Sequence, residues 1–215
     1  AIAHVGLLHH LARQNHDARE LVDDAVAEFE RLAESPTAGV DELERLANAY
    51  TVRGRILRDL ALPDAAENDF RRAISIFVEE LIPVDSADAE YQRGVATCGR
   101  HYAVLLERMG QGQEADTEFT TALRLLKAAL ETDPQNRSAR DEIALCQEYS
   151  GDFQRRSQAI APAREAYLQA LAARQQLPEE PEFLARRIRV LLKLGGDSDL
   201  EQAAADAEKL VGLDP

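Results

Sequence analysis

The side chains best suited to binding chemistry in this chain are arginines. Of its 25 basic residues only Lys127, Lys193 and Lys209 are lysines, so nearly every positive charge is a planar fork that matches a carboxylate or phosphate bidentately. Helical spacing gathers several of them onto common faces. Asn48, Thr51, Arg55 and Arg58 form one such set, Thr97, Arg100, His101 and Arg108 a second, and Arg186, Arg189 and Lys193 a third. A face of this kind attracts an acidic segment or a free C-terminal carboxylate. The alternative is that these arginines pair with neighbouring Glu and Asp along a solvated surface, worth about 0–1 kcal/mol per pair. Asp141, Glu142 and Glu148 make the expected binding surface mixed in sign rather than uniformly basic, so a partner with both charges suits it best.

Other constellations are thin. His4, His9, His10 and His16 crowd the first sixteen residues, but metal ligands on a helix need separations of three or four to share a face. His4 and His9 are five apart, and His10 and His16 six. Cys98 and His101 share a helical face, yet a buried small hydrophobe is the better reading of that cysteine. The chain contains no P-loop, nucleophile elbow or Rossmann glycine pattern. The expectation is therefore no metal, no cofactor and no catalytic activity.

Composition narrows the class of partner. With 39 acidic against 25 basic residues the formal charge is -14, which argues against a nucleic-acid or anionic-membrane binder acting through its whole surface. Two cysteines outside any CxxC pattern do not make a disulfide framework, and a reduced, cytoplasmic setting is the default. No apolar run approaches the roughly 20 residues of a membrane span. The chain opens on Ala1 rather than Met, which fits a processed protein or a segment of a longer one.

The elements that must carry these residues are repeated. A small residue, a bulky one four later and a small one three after that recur as Ala66, Phe70, Ala73, as Ala115, Phe119, Ala122 and as Ala163, Tyr167, Ala170. Weaker copies are Ala18, Val22, Ala25 and Ala203, Ala207, Leu210; successive first alanines lie 48, 49, 48 and 40 residues apart. Apolar residues recur at three and four throughout, and no stretch alternates with period two, so each unit reads as two helices. The fold class is all-α. The expected units are 1–38, 39–84, 85–134, 135–178 and 179–215, making one repeat domain over 1–215. Turns are predicted at Leu62-Pro63-Asp64, Gly110-Gln111-Gly112 and Gly195-Gly196-Asp197. In the fourth unit the turn is predicted after Ser150-Gly151-Asp152, followed by an insertion of about seven residues before Pro162.

These units resemble tetratricopeptide repeats. Tyr50, Gly54, Leu57, Ala66, Phe70 and Ala73 fall on that family's spacing, as do Val5, Gly6 and Ala18, and Ala103, Leu106, Gly110, Ala115, Phe119 and Ala122. The first-helix Trp is missing, and 48 exceeds the family's usual period of about 34 residues. The stretch RILRDLALPDAAENDFRRAI is also similar to arrays attached to bacterial serine/threonine protein kinases. The resemblance implies a right-handed α-solenoid of stacked antiparallel helix pairs, whose concave first-helix face binds a peptide or partner helix. The Lys and Asn set with which some members clamp a terminal carboxylate is not reproduced, since Thr51, Arg55, Asp141 and Glu142 stand there. The implied role is a protein-interaction scaffold, monomer favoured. The alternatives are a self-associating scaffold or a non-catalytic regulatory segment of a larger enzyme such as a bacterial protein kinase.

Overall fold

The computed structural model of the chain describes residues 19–35, 38–85 and 88–213. Its helices are α1 (19–33), α2 (Val40–Asp59), α3 (Pro63–Ser75), α4 (Ala89–Arg108), α5 (Gly112–Thr132), α6 (Arg137–Arg156), α7 (Ile160–Arg174), α8 (Pro181–Leu194) and α9 (Asp197–Leu213). No strand occurs among the described residues. The chain divides into two compact units, Ala1–Glu118 and Phe119–Pro215, with the boundary inside α5. In the first, α2 packs on α3 and α3 on α4; in the second, α6 packs on α7, α7 on α8 and α8 on α9. Helices packing on their sequence neighbours in this way make the helix-pair architecture of an α-solenoid.

Local chemistry sets most of the helix ends. Asp88 caps α4 by accepting from the Glu90 and Tyr91 N–H groups, and Asn136 caps α6 by accepting from Ala139 N at 2.9 Å. Both satisfy donors that the first helical turn leaves without partners. Proline stands in the first turn of α3 and of α8, where its missing N–H costs nothing. Three helix-pair turns share one geometry: Leu62 N–H donates to Leu57 O, Gln111 to Leu106 O and Ala159 to Gln154 O. Each wraps around one residue with positive φ: Ala61 at 58°, Gly110 at 80° and Gln158 at 61°. This is the Schellman termination, for which glycine is the unstrained choice.

The fourth expected turn is thereby corrected. Residues 150–152 lie inside α6, the chain turns at 157–159, and the expected insertion is about one further turn of α6, the connection itself and the start of α7. Gly151 serves packing rather than turning. A Cβ there would stand 2.7 Å from the Tyr167 ring, as one at Gly54 would stand 2.8 Å from the Phe70 ring. Phe70 is fully buried and Tyr167 nearly so, each worth about 1.5–3 kcal/mol on burial. A second departure is the end of α3, which continues as a π-helix over Ile76–Leu81. It seats Phe77 against Gly94 of α4 and leaves Val78 exposed.

Paired charges brace the helices above this apolar contact. Arg53 of α2 holds Asp69 of α3 through two hydrogen bonds of 2.7 and 2.8 Å. In the other unit Arg187 of α8 holds Asp206 of α9 through two of 2.6 Å. Asp69 and Asp206 are buried, so removing either arginine strands a carboxylate, at about 3–5 kcal/mol. Both cysteines are buried where successive helix pairs meet, with Cys98 Sγ 3.4 Å from Phe70 O and Cys146 Sγ 3.6 Å from Phe119 O.

Two substitutions test these assignments with opposite signs. Gly151→Ala, normally a gain in a helix interior, is expected to destabilise by about 1–3 kcal/mol through overpacking against Tyr167. Gln158→Gly should stabilise by up to about 1 kcal/mol by relieving the left-handed residue. Urea denaturation of both variants checks the pair, and a stabilised Gly151→Ala would refute the close approach.

Candidate functional site

In the first unit the first-helix face is built by α2 and α4. Asn48 and Arg55 are exposed. Arg55 makes no side-chain hydrogen bond or ion pair among the described residues. Arg58 Nε donates to Asp59 Oδ1 at 3.0 Å, and Arg108 reaches the same carboxylate at 3.4 Å and Arg58 O at 3.5 Å. One carboxylate thus serves two arginines, and a third stands beside them unmatched.

Three members of the expected set are placed differently. Thr51 is buried, its hydroxyl donating to Ala47 O at 2.9 Å within α2. Arg100 and His101 are only 4% and 7% exposed. The reason is that α4 is buried almost all round from Val95 to Leu106, so helical spacing alone does not separate its outer residues. The His101 ring stacks on Phe70 with centroids 6.5 Å apart. Its Nε2 lies 3.3 Å from Arg100 Nη2 and accepts, because a guanidinium can only donate. Burial, then the charges of Arg100, Arg55 and Arg58, push its pKa far down, so the imidazole is neutral throughout the physiological range. Thr97 is half-buried with a hydroxyl oxygen that has no protein partner.

The third set stands in the second unit, and its charges are spent internally. Arg186 bonds Asp141 and Glu182. Glu148, 2% exposed, accepts from Arg174 at 2.8 Å, from Arg189 at 2.6 and 2.9 Å and from Lys193 at 2.8 Å. Burial raises the Glu148 carboxyl, but the bonds from Arg189 and Lys193 and the charges of Lys193 and Arg174 outweigh it and hold it below the usual range. Asp141 goes the other way, raised by burial against the weaker pull of Arg186. Arg189 and Arg186 are therefore structural members of a network, and the expected basic face does not stand free in this unit.

A groove that the sequence did not reveal lies between α1, α2 and α3. It encloses about 580 Å³ over Leu43, Leu46 and Ile76, with Glu30 and Glu34 on one wall and Arg71 and Arg72 on the other. Tyr50 bridges the walls, accepting from Arg72 at 2.8 Å and donating to Glu30. Its lining comes from three helices, and no local spacing signals that combination.

Other expected chemistry finds these positions. Cys98 is buried, and desolvation pushes its thiol up to about 12, far from a nucleophile's range. No group of three His, Cys, Asp or Glu that could hold a metal exists among the described residues. His4, His9, His10 and His16 lie outside them. No described helix is long and apolar enough to cross a membrane.

Residues 47–77, which carry Tyr50, Gly54, Phe70 and Ala73, match the family model of the tetratricopeptide repeat. Over this stretch the chain is similar to a tetratricopeptide repeat, a motif whose stacked arrays are in general scaffolds for protein–protein contact. Among solved structures the chain is similar to the crystal structure of BtubC (BKLC) from P. vanneervenii, with a TM-score of 0.65 and 18% identity over 99% of this chain and 83% of that one. At that identity the likeness is one of fold. No curated protein matches the sequence.

Glu148 offers a measurable test of the second unit. Glu148→Gln should cost about 3–5 kcal/mol at neutral pH by stranding Arg174. A carboxyl with a depressed folded pKa contributes stability that is present above the unfolded pKa and lost as pH falls through the folded one. Acid titration of stability should therefore fall less steeply in the variant below the ordinary carboxylate range. Equal slopes for the native chain and Glu148→Gln would contradict the assignment.

Proposed function

We propose that the chain is a protein-interaction module, and that in its first unit the first-helix face contacts an acidic or mixed-charge segment of a partner protein. The carrying observation is the charge imbalance there: Arg55 exposed and without a carboxylate, beside Arg58 and Arg108 sharing Asp59. His101 does not relieve it by switching charge, since it is already neutral. An incoming carboxylate gains charge-assisted hydrogen bonds from Arg55 and releases Arg58 or Arg108 from competition for Asp59. Because the helix pair fixes the backbone that carries the arginines, the ordering cost on this side of the contact is confined to their side chains. Asn48 supplies a neutral donor and acceptor about two helical turns before Arg55 on α2. Arg186 and Arg189 have no part in this contact, being satisfied by Asp141 and Glu148. The reading needs no cofactor, no nucleic acid and no catalytic step, and it suits a cytoplasmic scaffold.

The test is affinity capture from a source-cell lysate with the native chain and an Arg55→Glu, Arg58→Glu, Arg108→Glu variant, captured proteins being identified by mass spectrometry. Arg100 stays unchanged because it is buried, and circular dichroism verifies that the variant is folded. A partner held by the native chain, lost by the variant and weakened by added salt is the expected result. Identical captures would refute the face.

A further inference from the structure

A smaller pocket in the second unit, at the turn between α6 and α7, is lined by three cations and exposed apolar surface. It encloses about 130 Å³ and is lined by Arg155, Ile160, Arg164, Tyr167, Lys193 and Leu194 among others. Its floor is electrically complete. Tyr167 donates to Asp152 at 2.7 Å, Lys193 bonds Asp152 at 2.7 Å and Glu148 at 2.8 Å, and the Lys193 ammonium lies 5.7 Å from the Tyr167 ring centroid. Its rim is not. Arg155 and Arg164 are exposed, and neither forms a side-chain hydrogen bond or ion pair among the described residues. Between them stands Ile160, 65% exposed.

Acidic residues outnumber basic ones 39 to 25, and Arg53, Arg72, Arg174, Arg187 and Arg189 all hold carboxylates. Two unmatched guanidinium groups around one concavity therefore leave a local positive field in a negative protein. An exposed Ile beside them adds the apolar contact that gives a charged docking point its affinity.

We propose that this pocket binds the side-chain carboxylate of an acidic peptide segment of a partner, with a neighbouring apolar residue of that peptide resting on Ile160 and Leu194. Arg155 and Arg164 supply the forked donors, and arginine's fork accepts a carboxylate through two parallel bonds. A carboxylate fits better than a phosphoryl group because the Asp152 carboxylate is bonded to Tyr167 and Lys193 of the lining, and a dianion meets more repulsion from it than a single charge does. The site is independent of the Arg55 face, and its test leaves Arg55, Arg58 and Arg108 unchanged, so either reading can fail alone.

The experiment is a titration of the isotope-labelled full chain, followed by amide chemical shifts, with the acetylated and amidated peptide Leu-Glu-Glu-Leu. The uncharged peptide Leu-Gln-Gln-Leu and inorganic phosphate are separate arms. Saturable shifts at Ile160, Ala163 and Leu194 are expected for the acidic peptide, weakened about fivefold or more in Arg155→Ala and in Arg164→Ala. Arg155→Lys should keep part of the binding, and Ile160→Ser should weaken it with the charges intact. Both arginines are exposed, so these variants are expected to fold as the native chain does, which the unshifted remainder of the spectrum reports. Absence of saturable shifts, equal binding of the uncharged peptide, or unchanged affinity in the Arg155→Ala, Arg164→Ala double variant would overturn the proposal. Tighter binding of phosphate than of the peptide would overturn the carboxylate assignment.

Discussion

An aromatic ring lying directly on a glycine of the preceding helix is the contact on which the α2–α3 and α6–α7 pairs depend. Phe70 of α3 covers Gly54 of α2, and Tyr167 of α7 covers Gly151 of α6, the partners standing sixteen positions apart in both. A side chain on either glycine would push the helices apart, and the separation would propagate. The alanines that flank each ring, Ala66 and Ala73 or Ala163 and Ala170, are fully or almost fully buried only because the helices come this close. The carbonyl of Phe70 then meets the Cys98 thiol of the next helix pair. One short approach thus sets the spacing within a pair and shapes the surface offered to the following one.

Charge is distributed on top of this frame, and the two units use it differently. In the second, Glu148 draws Arg174, Arg189 and Lys193 together and converts a row of cations into a brace between α6, α7 and α8. In the first, the inward carboxylate Asp69 engages Arg53 and leaves Arg55 to solvent. A surface that binds must keep some of its hydrogen-bonding capacity unspent. By that criterion Arg55 in the first unit and Arg155 and Arg164 at the small α6–α7 pocket keep capacity to offer, in a protein whose net charge is negative.

Much of this was legible in the residues, and the misreadings have physical causes. The recurrence of Ala66, Phe70 and Ala73 in later units reports helix packing, because close approach admits only small side chains on either side of a ring. Gly110 was readable as a turn because glycine tolerates a positive φ. Gln158 adopts the same conformation without that signal, while Gly151, which looks like a turn residue, is needed for its lack of a side chain. The π-helix over Ile76–Leu81 left no trace in the apolar periodicity. It depends on Phe77 finding Gly94 on another helix.

By itself the sequence determined that the chain is all-helical, where most helices begin and end, which small and aromatic residues meet, and that nearly all its positive charge is arginine. These properties follow from interactions within a few residues or from a side chain's size, and both can be read along a line. Only the tertiary structure decided which arginines remain available. Arg174 finds Glu148 across 26 residues and Arg186 finds Asp141 across 45, whereas Arg55, Arg155 and Arg164 find no carboxylate. Long charged side chains choose partners across helices, so their state is fixed by which helix faces meet and not by the spacing of charges along the chain.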